Sequence, residues 1–311
     1  MVTLRSEIAK EFVAQDELVY NALITLVASG HILVEGVPGL GKTLLVRCIA
    51  RALGGDCTRV QFTPDLMPSD ITGNIILDAA QGQFITKKGP VFTNLFIADE
   101  INRAPAKTQA ALFEAMQEYQ VSLDGVSHKL PRPFMVLATE NPFEHEGTYP
   151  LPEAQKDRFL MKVVAGYPAL EEETLMVRRI IEEDSGGAEL SVDKVSAVMS
   201  LGDFAEIQAL ARTITVDDAV IDYAVRLAAA TRNHAGLQCG AGPRGSLALV
   251  RCARARALIE SRDFVLPDDI KAVAVPVLLH RITLFAGSEL EGIDEKQIIE
   301  SILEKTGAPR I

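Results

Sequence analysis

Residues 36–43 read Gly-Val-Pro-Gly-Leu-Gly-Lys-Thr, a complete match to G-x-x-x-x-G-K-[ST]. The octet sits between an apolar run, His31-Ile32-Leu33-Val34, and a helical pattern opening with Leu44-Leu45-Val46-Arg47. A strand, a tight loop and a helix form the setting this motif needs. Glycines let successive backbone N–H groups turn inward around a phosphate. The helix behind the loop adds its positive N-terminal end. In that frame Gly36, Pro38, Gly39, Leu40, Gly41 and Leu44 build the cradle. Lys42 reaches the outer phosphates, and Thr43 offers its hydroxyl to Mg²⁺. The stretch therefore predicts a nucleoside triphosphate site.

A second stretch, Leu95-Phe96-Ile97-Ala98-Asp99-Glu100, ends an apolar run in two acids, 57 residues after Lys42. A buried strand there would carry both carboxylates to the phosphate edge of a sheet. Asp99 would hold Mg²⁺ through water beside Thr43. Glu100 would polarise the attacking water.

Around these motifs the first half alternates short apolar runs with helical patterns. Residues 32–35, 59–62, 95–98 and 134–139 read as buried parallel strands, and 44–53 and 106–118 as helices. The alternation predicts an α/β fold, a parallel sheet with helices on both faces. Two segments interrupt it. Residues 74–88 and 121–132 read as inserted β-hairpins, the second turning at Asp124-Gly125. Beyond about Val164 the strand signals stop, and 171–183, 215–232, 244–262 and 267–281 read as helices. Thr215-Val216-Asp217-Asp218 has the form of a helix cap, and Pro267-Asp268-Asp269 puts Pro and acids at a helix start. Pro276 should kink or end its helix. Arg251, Arg254 and Arg256 read as a solvated or interface face. The expected division is an α/β nucleotide-binding core over 1–166 and an all-helical lid over 167–311.

Composition narrows the function. The net charge of −11 argues against a general nucleic-acid binder, which needs a basic face. No segment has the length and apolarity of a membrane span, and no signal peptide is recognised. Cys48, Cys57, Cys239 and Cys252 form no C-x-x-C pair, and Cys48 and Cys252 fall in helical patterns as buried thiols. Together these features suggest a reducing, cytoplasmic setting.

Further segments then follow in a specific order: Phe12-Val13-Ala14-Gln15-Asp16, the loop at 36–43, Asp99-Glu100-Ile101-Asn102-Arg103-Ala104, Ala138-Thr139-Glu140-Asn141-Pro142, Asp157-Arg158-Phe159 and Gly242-Pro243-Arg244. The series resembles the AAA+ ATPases, and within them the MoxR family, over nearly the whole chain. That family is similar in turn to the motor subunit of magnesium chelatase, which carries corresponding hairpins. The resemblance implies Mg²⁺-dependent ATP hydrolysis by an oligomeric ring, expected to be a hexamer. It implies chaperone-like remodelling, maturation or metal loading of a client protein. It places Val13, Ala14 and Gln15 beside the adenine, and Asn141 as the sensor of the γ-phosphate or attacking water. Arg158 becomes an arginine finger reaching the neighbouring subunit's nucleotide, and Arg244 a lid arginine on the γ-phosphate of its own chain. Arg103 would face the subunit interface. A von Willebrand factor A-type partner is implied on a separate polypeptide, since this chain has no Asp-x-Ser-x-Ser motif. Two other readings stay open: a chelatase-like motor subunit, and a nucleotide-dependent binding switch with little turnover. A GTPase is disfavoured by the lack of Asn-Lys-x-Asp.

Overall fold

The computed structural model describes residues 1–12, 15–37, 39–78, 82–141, 148–182 and 192–309. Helices α1 (Val2–Ile8) and α2 (Asp16–Val27) precede strand β1 (Ile32–Glu35), then α3 (Lys42–Ala52) and β2 (Cys57–Gln61). A short α4 (Pro68–Thr72) leads into the hairpin β3 (Gly73–Asp78) and β4 (Gln83–Lys88). Next come β5 (Leu95–Asp99), α5 (Ala106–Glu118), the hairpin β6 (Gln120–Leu123) and β7 (Val126–Lys129), and β8 (Met135–Glu140). The chain continues through α6 (Glu153–Lys156), β9 (Met161–Val164), α7 (Leu170–Glu182), α8 (Leu201–Thr213) and α9 (Asp218–Arg232). It ends with β10 (Leu237–Cys239), α10 (Pro243–Ile259), α11 (Pro267–Leu278), β11 (Thr283–Leu284), α12 (Ala286–Leu290) and α13 (Glu295–Lys305).

Five strands form one sheet in the order β2-β5-β8-β1-β9. β5 pairs in parallel with β2 and with β8. Leu95, Phe96, Ile97 and Ala98 of β5 are buried, as is every residue of β8. Burying a large apolar side chain contributes about 1.5–3 kcal/mol. That is slightly more than the ~1–2 kcal/mol lost in fixing one residue's backbone. A run of such residues is therefore what makes a central parallel strand hold. The register sets Gln61 opposite Asp99. The parallel strands end at a common edge, where ligands of open α/β sheets bind.

The chain folds into two compact units whose segments interleave along the sequence. The first is Met1–Tyr20, Leu33–Leu151 and Val164–Ala205; the second is Asn21–Ile32, Pro152–Val163 and Glu206–Ile311.

Both predicted hairpins form. The Asp124-Gly125 turn has positive φ at both residues, +49° and +76°, as a tight two-residue turn between twisted strands requires. The hairpins differ in environment. Every residue of β4 is exposed, with Phe84 at 76%. Val121 and Leu123 of β6 are buried, and Arg132 stacks 3.5 Å over the Tyr119 ring. Within the first unit the second hairpin thus packs back on the core, while the first exposes the whole of β4.

The second unit corrects three expectations. Strands do not stop at Val164: β10 and β11 pair antiparallel, Leu237 with Leu284 and Cys239 with Thr283. Three and two residues are too few to show an alternating pattern, so only tertiary pairing reveals them. The helix expected from Thr215 begins at Asp218, where the Asp217 carboxylate accepts from the Ala219 N–H at 2.8 Å. Thr215 instead exchanges backbone bonds with Asp263 and Val265, each at 3.0 Å. The arginine face expected to be solvated or at an interface is so only in part: Arg251 is exposed, while Arg254 and Arg256 are half-buried. Arg251 donates to the carbonyl of Ala28 at 2.7 Å, and Arg256 turns to the fully buried Asp269. As expected, α11 ends within two residues of Pro276.

Asp269 also accepts from Arg262 at 2.6 and 2.7 Å and from the Leu266 N–H at 2.8 Å. Burial alone would raise its pKa, but these donors outweigh it and hold the carboxyl below its ordinary value. A depressed folded pKa gives stability that is present above the unfolded pKa and lost as pH falls through the folded one. Asp269→Ala should leave two arginines facing a void and cost about 3–5 kcal/mol at neutral pH. Hydrogen exchange of the α10 and α11 amides should accelerate by about a hundredfold or more. Exchange at the wild-type rate would show that the cluster carries no stability.

Candidate functional site

The loop after β1 is held at its start by two backbone bonds. The Gly36 N–H donates to the Glu140 carbonyl at 3.1 Å, and Ala165 N–H to the Glu35 carbonyl at 2.7 Å. A Cβ on Gly36 would meet the Ala165 oxygen at 2.5 Å, so no larger residue fits there. Gly39 and Gly41 have φ of +85° and +75°, the left-handed region that side chains disfavour. Gly41 caps α3, whose first N–H groups have no intrahelical acceptor by their position. A glycine-rich turn ahead of a helix N-terminus is a setting that suits an anion.

Lys42 lies at the base of this loop, only 9% exposed, and its Nζ donates to the Gly36 carbonyl at 2.7 Å. Burial lowers its pKa, and the charges of Asp99, Glu100 and Glu35 work against that shift. An ammonium folded onto its own loop is a donor that an incoming phosphate can take over.

Across the sheet edge stand the two acids. Thr139, buried on β8, donates its hydroxyl to Asp99 Oδ1 at 2.6 Å and accepts the Glu100 N–H at 2.8 Å. One side chain thereby fixes both acidic positions. Glu100 has φ +54°, unusual for a residue with a side chain. Such strain persists only where its surroundings impose it, as functional sites often do. Glu100 Oε2 accepts from Gln61 Nε2 at 2.7 Å and from Arg103 Nη1 at 3.0 Å. Asp99 Oδ2 accepts from Arg59 Nη2 at 2.5 Å and Nε at 3.1 Å.

A cavity of about 370 Å³ joins these parts. Gly36, residues 39–44, Asp99, Glu100 and Asn141 all line it, so ten of the sequence-predicted site positions converge. Its remaining wall includes Arg47, Arg59, Gln61, Thr139 and Met176, to which the sequence reading gave no role in the site. Arg59 and Gln61 alternate on β2, and that period of two was the available signal. Val13, Ala14 and Pro38 lie outside the described residues. Gln15 does not line the cavity; it donates to the Gly166 carbonyl at 3.1 Å. Arg158 and Arg244 belong to the second unit. There Arg244 lies 3.4 Å from Asp157, whose other carboxylate oxygen accepts from the buried Arg281 at 2.8 Å.

The fold and the cavity define an ATPase of the P-loop class with an added helical lid. Residues 31–161 match the ATPase family associated with various cellular activities, and residues 229–302 match an AAA lid domain. The chaperone MoxR1 of Mycobacterium tuberculosis is 42% identical over 98% of this chain and 81% of its own length. Protein MoxR of Methylorubrum extorquens is 34% identical over 97% of this chain and 93% of its own. A solved structure of a candidate ATPase from Cytophaga hutchinsonii superposes with a TM-score of 0.91 at 43% identity, covering 99% of this chain and 94% of its own. The chain belongs to the MoxR family of AAA+ ATPases. Among the described residues, no helix is long and apolar enough to cross a membrane.

Proposed function

We propose that the protein hydrolyses MgATP in an oligomeric ring and uses the cycle to remodel, mature or metal-load a client protein. The observation that carries this reading is the convergence of loop, Lys42 and both acids on one cavity. Lys42 leaves the Gly36 carbonyl and binds the outer phosphates. Thr43 and Asp99 fit a magnesium ion, because both offer hard oxygen donors to the same cavity. The ion, once bound, supplies charge neutralisation at the phosphates. Glu100 polarises the attacking water and Asn141 orients it. Arg158 completes the site of the neighbouring subunit, and Arg244 reports the γ-phosphate to the lid of its own chain.

A hexameric ring, a separate von Willebrand factor A-type partner and a cytoplasmic location complete the reading. The free cysteines agree with a reducing setting: burial pushes Cys48 and Cys252 up to about 12, leaving inert thiols. The hairpin of β3 and β4 is the better client contact, since Leu77 and Phe84 face each other across it at 58% and 76% exposure. Chelatase-like motor work would use the same site. A binding switch is disfavoured by the presence of both Glu100 and Arg158.

Lys42→Ala tests the site directly. The variant should lose nucleotide binding altogether in a fluorescent-ATP titration, because Lys42 is the cation buried beneath the loop. Wild-type affinity in that titration would overturn the reading.

A further inference from the structure

Each acid of the site has a partner from β2. Asp99 divides its oxygens between two neighbours. Oδ1 takes the hydroxyl of Thr139, itself only 3% exposed, and Oδ2 takes the fork of Arg59. The Arg59 side chain is 47% exposed and that of Asp99 20%. Thr139 sits inside the sheet and has no room to withdraw. Arg59 lies at the more exposed side and lines the same cavity. The oxygen available to a cation is therefore the one the guanidinium covers.

We propose that Arg59 is a positioning residue that holds the cation-facing oxygen of Asp99 and yields it when MgATP enters. The proposal rests on the reading that Asp99 is a magnesium ligand. It gives that ligand a default partner, so Asp99 does not stand as an uncompensated charge between turnovers. The exchange is feasible because partly exposed ion pairs are weak.

The test measures Mg²⁺ dependence, not turnover. Binding of a fluorescent, non-hydrolysable ATP analogue is titrated with Mg²⁺ in the full-length chain. Arg59→Ala should lower the half-saturating Mg²⁺ concentration by about fivefold, the strength of an exposed ion pair removed. Arg59→Lys, which keeps the charge without the fork, should fall between. Asp99→Asn should raise the half-saturating concentration, and adding Arg59→Ala to it should change nothing further. An unchanged or higher Mg²⁺ requirement in both Arg59 variants, with Asp99→Asn still impaired, would overturn the exchange and leave the metal assignment standing. No effect of Asp99→Asn would overturn the metal assignment, and the exchange with it.

Discussion

Glu100→Gln should bind ATP within about threefold of the wild type yet hydrolyse it at least ~100-fold more slowly, the expected loss when a general base is removed. The substitution is nearly isosteric. An amide oxygen can still accept from Gln61 and Arg103, which hold the carboxylate at 2.7 and 3.0 Å. The main-chain bond from Glu100 N–H to Thr139 is untouched. Backbone strain at φ +54° is the same for either side chain. What disappears is the basic oxygen, so binding and chemistry should separate. Single-turnover hydrolysis measured alongside equilibrium binding reads both. Near-wild-type turnover with normal binding would remove Glu100 from its role. The same variant should accumulate ATP-bound protein and so capture a client, which makes it the tool for finding one.

The parts of this molecule legible in the sequence are those carried by short, contiguous patterns. The loop at 36–43 needs only its glycines and its Lys-Thr, and β1 and α5 begin and end where the patterning puts them. Asp99 and Glu100 are legible because a fully apolar strand precedes them. What escapes is long-range. β2 has no buried face of its own, so the alternation of Arg59 and Gln61 puts them on one face without saying that they meet acids some forty residues on. Asp269 looks like a helix-start acid, and it is one, but its two arginines come from α10 and the segment after it. Which hairpin is the more exposed is likewise unreadable, because turn chemistry fixes the turn and not what packs beneath it. The start of α13 was available and missed. Asp294 and Gln297 cap each other at 2.7 and 3.0 Å, a spacing visible in the sequence.

Mixing two dead proteins should restore ATPase activity if Arg158 acts across a subunit interface. Arg158→Ala keeps an intact loop and lacks the finger; Lys42→Ala keeps the finger and lacks the loop. Under random co-assembly about one interface in four joins an intact loop to an intact finger. An arginine finger contributes ~10³-fold or more to the rate, so even partial assembly stands well above the parents. The neighbourhood of Arg158 suits such a role. Asp157, just before it, is held by Arg281 at 2.8 Å and Arg244 at 3.4 Å, and Phe159, just after it, is fully buried. Anchors on both sides fix the backbone, and a fixed backbone limits the entropy lost when a long side chain is placed on a transition state. The same anchoring predicts that Arg281→Ala lowers activity through Arg158 and not through nucleotide binding. Co-assembly is verified by light scattering with ATP present. If mixed rings form and their activity equals the sum of the two parents, Arg158 does not serve a neighbour's site, and its conformation must be explained within its own chain.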